Sequence, residues 1–119
     1  MAKIEAQGFN HVALWVSDMR RSADWYIELL GLEEARVSDH HIFLRLPSGE
    51  VLALFEASEP KQIGSEVHHL AFNLPSGEVE KALETLRQRD VPLEQRGPSL
   101  SFQDPDGYWI EIFAPGGMA

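Results

Sequence analysis

The sequence repeats itself once, and that repetition limits the possible folds more than any other feature. His-Val-Ala-Leu begins at His11 and His-Leu-Ala-Phe at His69, 58 positions later; Pro47-Ser48-Gly49 returns as Pro105-Asp106-Gly107 at the same spacing. Two matches at one offset, each in the same local context, mark a duplicated unit. A unit of that size buries little apolar surface alone, so 119 residues make one domain, or two small units sharing a core.

Each copy reads as strand, helix, then further strands. Residues 9–16 and 67–74 are rich in β-formers and open the two copies. In the first, Asp18 is placed as helix N-cap, Ala23, Tyr26, Ile27 and Leu30 keep helical spacing, and Gly31 suits the position past the end. In the second, Ser76 is the expected N-cap, and Val79, Ala82, Leu83 and Leu86 repeat the stripe. The stripes match at an offset of 56, which predicts a loop about two residues longer before the first helix. Strands at 42–46 and 51–55 flank the Pro-Ser-Gly turn, and strands at 100–103 and 108–113 flank the Asp-Pro-Asp-Gly turn. Segments 36–39 and 93–98 leave room for one more strand each. The expected fold class is α+β, two βαβββ modules over residues 8–57 and 66–115.

A helix covers one face of a sheet and leaves the other open. Val12, Leu14, Val16 and Leu70, Phe72, Leu74 share the parity that should pack under the helices. The opposite parity carries Phe9, His11, Ala13, Trp15 and Val67, His69, Ala71, Asn73, a mixture that suits a lined cavity. Trp109, Glu111 and Phe113 share one parity of the last strand.

Ten basic against 19 acidic residues leave a charge of −9, which argues against a nucleic-acid or anionic-membrane partner. No apolar run approaches the roughly 20 residues of a membrane span, and residues 1–7 lack the layout of a signal peptide, so the cytoplasm is the expected location. Without cysteine there is no disulfide, thiolate nucleophile or sulfur ligand.

His11-Val-Ala-Leu-Trp-Val-Ser-Asp18, with Ser22, Trp25-Tyr26 and Leu30-Gly31, resembles the opening half-module of the vicinal-oxygen-chelate superfamily, which includes glyoxalase I, fosfomycin-resistance enzymes and extradiol dioxygenases. Asp104-Pro105-Asp106-Gly107-Tyr108-Trp109-Ile110-Glu111 is similar to its final hairpin. The resemblance implies sheets curled around a cleft that holds one divalent metal ion, with His11, His69 and Glu111 as ligands. The position matching Glu111 in the first copy is Ala53, so the fourth ligand of glyoxalase I is missing, and water is expected in its place. Glu56 is nearby but on the other parity. Two imidazoles and one carboxylate suit Fe, Mn, Zn, Ni or Co and leave positions open for substrate oxygens.

Among the remaining histidines, His68 has helix-facing parity and reads as structural or as placed at a strand edge, and His40 falls in a polar connector. His41 shares parity with Phe43 and Arg45, which makes it a candidate acid or base and Arg45 a candidate for an acidic substrate group. Trp15, Phe43, Arg45, Asn73, Gln103 and Trp109 are the expected substrate-binding residues, with Phe55 and Phe113 as core or cage. Glu78, Glu80 and Glu84 read as a solvated helix face. Ala53 counts against glyoxalase I chemistry, and Ala13, where the fosfomycin enzymes place a threonine, counts against fosfomycin modification. Two readings follow: a metal-dependent lyase, isomerase or dioxygenase for a small molecule chelating through oxygens, and a metal-free binder of the bleomycin-resistance type. For either, a homodimer is expected, because each open sheet face must be covered.

Overall fold

The structure, a computed structural model, describes residues 2–64, 67–97 and 99–114. The chain divides into units Met1–Ile63 and Gly64–Ala119, each a βαβββ module. The expected limits at 66 and 115, and Pro98 at the end of a predicted strand, lie outside the described residues.

In the first unit β1 (His11–Val16) leads into α1 (Met19–Leu30), followed by β2 (Glu33–Val37), β3 (His41–Arg45) and β4 (Val51–Glu56). The sheet order is β1-β4-β3-β2, with β1 parallel to β4 and the other pairs antiparallel. A single 3₁₀ turn at Pro60–Gln62 follows. The second unit repeats this with β5 (His69–Asn73), α2 (Val79–Gln88), β6 (Leu93–Arg96), β7 (Ser99–Gln103) and β8 (Trp109–Phe113), in the order β5-β8-β7-β6. The pairing registers of the two sheets coincide at the 58-residue offset: His11 faces Val51 as His69 faces Trp109, and His41 faces Phe55 as Ser99 faces Phe113. The duplication therefore extends to individual hydrogen-bonded pairs. Only β2 breaks it, through a register shift between Glu34 and Arg36 that leaves Ala35 as an extra residue.

The first strands are shorter than their β-forming sequences. Strand β1 starts at His11 because its partner β4 starts at Val51, and Phe9 beyond it is 80 % exposed. Helix α1 has the expected ends: the Asp18 side chain accepts from Arg21 N at 3.0 Å, and Gly31 adopts φ 73, where its N–H reaches Ile27 O. Glu56 also serves this helix, accepting from Met19 N at 3.3 Å.

Helix α2 departs from expectation. Ser76 does not cap it; the helix starts two residues later, with Glu78 at the N-cap position and no side-chain cap bond. Pro75-Ser76-Gly77 is spent on a turn instead, closed by Glu78 N to Pro75 O with Gly77 at φ 81. The longer loop consequently precedes the second helix, over residues 74–78 against 17–18, which reverses the predicted difference.

Leu14, Val16, Ala23, Tyr26, Ile42, Leu44, Leu52 and Leu54 form the first core between sheet and α1. Leu83, Leu86, Leu100, Phe102, Ile110 and Ile112 form the second. The β7–β8 turn is tied by the buried Asp104 carboxylate, which accepts from Asp106 N at 2.9 Å and Tyr108 N at 3.0 Å. The Tyr108 hydroxyl accepts from Gly64 N at 2.8 Å. Burial raises the Tyr108 pKa; the Gly64 N–H opposes this, and Asp104 and Asp106 add to it.

Candidate metal and substrate site

Residues paired across neighbouring strands point to the same face, so the registers lay out each open face as three rows. In the first unit the rows are Trp15, Phe55, His41; then Ala13, Ala53, Phe43; then His11, Val51, Arg45. In the second they are Asn73, Phe113, Ser99; then Ala71, Glu111, Ser101; then His69, Trp109, Gln103. Every residue expected to line the site lies on one of these faces. Their chemistry differs: the first face gathers aromatic rings with two histidines and an arginine, and the second is mostly polar.

On the second face, His69 Nε2 stands 3.9 Å from Glu111 Oε1. That is too long for a hydrogen bond, and both side chains are partly exposed, so the two groups converge without being locked to one another. His69 Nδ1 is held from behind by His68 Nδ1 at 2.7 Å. His68 stands exposed at the edge of β5, immediately before its first residue, and its ring turns to its neighbour. The first unit repeats this device. His11 Nδ1 donates to Asn10 Oδ1 at 2.7 Å, which in the neutral ring leaves Nε2 with its lone pair free.

Asn10 and His68 are repeat equivalents, and each fixes the Nδ1 side of the next histidine. Their shared position before a repeated histidine was the signal that could have identified them. An engaged Nδ1 and a presented Nε2 are what an orienting partner gives a metal-binding imidazole. His69 with Glu111 on one unit, and His11 on the other, are donors of the type a divalent ion takes; among the described residues no group of three His, Asp or Glu side chains stands together ready to hold one.

Ala53, at the position of the missing ligand, is 1 % exposed. Above it the rings of His41, Phe43 and Phe55 gather: His41 stacks on Phe43 with centroids 4.2 Å apart, and Phe55 meets both. Trp15 joins edge-on to Phe55 at 6.1 Å and keeps 41 % exposure. Arg45 lies exposed on the same face. Gln103 Nε2 donates to Gly107 O at 3.1 Å, so this amide supports its own turn. Asn73 and Trp109 are exposed on the second face. Glu80 and Glu84, together with Lys81 and Arg87, border an open hollow along α2, on the helix side.

Residues 8–112 match the model of the glyoxalase/bleomycin resistance protein/dioxygenase superfamily. A crystal structure of a glyoxalase/dioxygenase from Nostoc punctiforme is similar at 25 % identity and TM-score 0.76, covering 96 % of this chain and 97 % of that one. A lactoylglutathione lyase from Agrobacterium tumefaciens is similar at 19 % identity and TM-score 0.74, over 92 % and 95 % of the two chains. A fosfomycin resistance protein from Listeria monocytogenes is similar at 22 % identity and TM-score 0.76, over 92 % of each. No curated protein matches the sequence. No helix among the described residues is long and apolar enough to cross a membrane.

Proposed function

The chain belongs to the glyoxalase/bleomycin resistance protein/dioxygenase superfamily, and from that premise we propose that it is a divalent-metal-dependent enzyme for a small molecule that chelates through oxygens. The observation that carries this reading is the pair His69 and Glu111, 3.9 Å apart on one open face, with His69 held at Nδ1 and turned by Nε2 toward the carboxylate. Where His69 Nδ1 donates to His68, its Nε2 presents a lone pair beside the carboxylate, and a shared cation satisfies both.

His11 supplies the second imidazole, from the same chain or from a second copy. An ion held by two imidazoles and one carboxylate, whether Fe, Mn, Zn, Ni or Co, polarises a carbonyl or stabilises an enolate when bound. The chain's own residues do the rest. Asn10 and His68 keep the imidazoles oriented, Arg45 attracts an acidic group, and the aromatic face excludes water. The reaction is of the lyase, isomerase or dioxygenase type, in the cytoplasm.

A metal-free binding protein is the second reading, favoured by the absence of a preassembled three-ligand cluster among the described residues. Calorimetric titration with Mn(II) and Ni(II), on protein purified without an affinity tag, separates the two. Binding that is strong in the wild type and lost in both His69→Ala and Glu111→Gln supports the enzyme. Equal, weak binding by all three proteins leaves the binder.

A further inference from the structure

His41 carries a polar atom that none of the described residues engages. Its Nε2 is closed to water and has no hydrogen-bond partner among the described residues. Its protonation state follows from its other nitrogen. Ser38 Oγ accepts from His40 N and from His41 N, each at 3.2 Å, which engages both lone pairs. The hydroxyl proton is then free only for His41 Nδ1, 3.0 Å away. Nδ1 is therefore an acceptor, and in the neutral ring the proton sits on Nε2. The unused atom is a donor.

A dry, unpaired N–H costs about 1–3 kcal/mol, which a matching acceptor would recover. The surroundings restrict what can bring that acceptor. The His41 ring is stacked on Phe43, tilted against Phe55, and Phe55 meets the half-exposed Trp15. Such a cluster takes flat π-surfaces, offset-stacked or edge-on. Arg45, four residues along β3 from His41 and on the same face, favours a negatively charged group.

We propose that the open face of the first unit binds a planar aromatic anion, whose ring parts the cluster of Trp15, Phe43 and Phe55 and so uncovers His41 Nε2–H to one of its oxygens. His41 is then a hydrogen-bond donor to substrate, in place of the acid or base that the sequence suggested. The proposal rests on the enzyme reading in one respect, that this face is part of the substrate site, and names the substrate class for it.

The test is calorimetric titration with 2-naphthoate and with its saturated counterpart decahydro-2-naphthoate, in the presence of a metal chelator. Wild type should bind 2-naphthoate at least about tenfold tighter than the saturated acid, the size of a stacking preference of this kind. His41→Phe keeps a ring in the stack and removes the donor; it should lose about tenfold in 2-naphthoate affinity. Phe43→Leu should abolish the preference for the aromatic acid. Equal affinity for the two acids, or unchanged 2-naphthoate binding in His41→Phe, overturns the proposal. Chelation keeps the outcomes apart. Naphthoate discrimination with no metal binding in the separate Mn(II) titration removes the enzyme reading alone, and metal binding with no discrimination removes only the substrate class.

Discussion

Tyr108 shows how one buried hydroxyl ties pH to stability. Burial keeps its pKa above 10.0 in the fold, so the folded state holds the phenol proton more tightly than the unfolded chain does. That contribution is complete below the unfolded value and is lost as pH rises through the higher folded one. Urea unfolding of the wild type should therefore weaken above about pH 10 more steeply than that of Tyr108→Phe. At neutral pH the variant, which leaves Gly64 N–H without its acceptor, should lose about 1 kcal/mol. Equal slopes in alkali would refute this role. Much at this scale was legible in the sequence: the parity of His11, His69 and Glu111 and the value of Asp18 and Gly31 follow from spacing alone. The Ser38–His41 pairing and the His68–His69 contact were not, because a ring's direction is set by neighbours that parity does not specify. His68 is accordingly an orienting residue, and His68→Ala should weaken Mn(II) binding about tenfold, with removal of His69 costing more. A His68→Ala protein that binds Mn(II) as tightly as wild type would return it to a bystander.

The two helices differ in how they begin, and the difference can be measured. Asp18 accepts a backbone N–H at the start of α1, so Asp18→Ala should cost about 1 kcal/mol in chemical denaturation. Ser76 carries the same expectation from sequence but stands in a turn ahead of α2, so Ser76→Ala should change stability by less than about 0.5 kcal/mol. Comparable losses in both would show that Ser76 caps after all. The misplaced cap has a physical origin: Ser76 lies between Pro75 and Gly77, which favour a closed turn with a left-handed residue, and this competes with helix initiation. Six of the eight strands were legible outright, and β2 and β6 only as room for one more strand each; strand ends were not, because each strand stops where its partner stops.

Across the whole molecule, duplication has produced two equal scaffolds with unequal faces. Glu111 sits where the first unit has Ala53, and the serines 99 and 101 sit where it has His41 and Phe43. One sheet therefore carries the carboxylate, and the other carries the His41, Phe43 and Phe55 cluster. Trp15 and Trp109 each remain 41 % exposed on these faces, which is costly apolar surface for a single chain in water. A homodimer of about twice 13.4 kDa should appear in sedimentation at micromolar concentration; a monomer there would contradict it. In the proposed site both copies of the repeated histidine bind one ion together with Glu111. X-ray absorption of stoichiometrically Ni(II)-loaded protein counts imidazoles directly. Two are expected in the wild type and one in His11→Ala; a wild-type count of one, unchanged by that substitution, would place His11 outside the site.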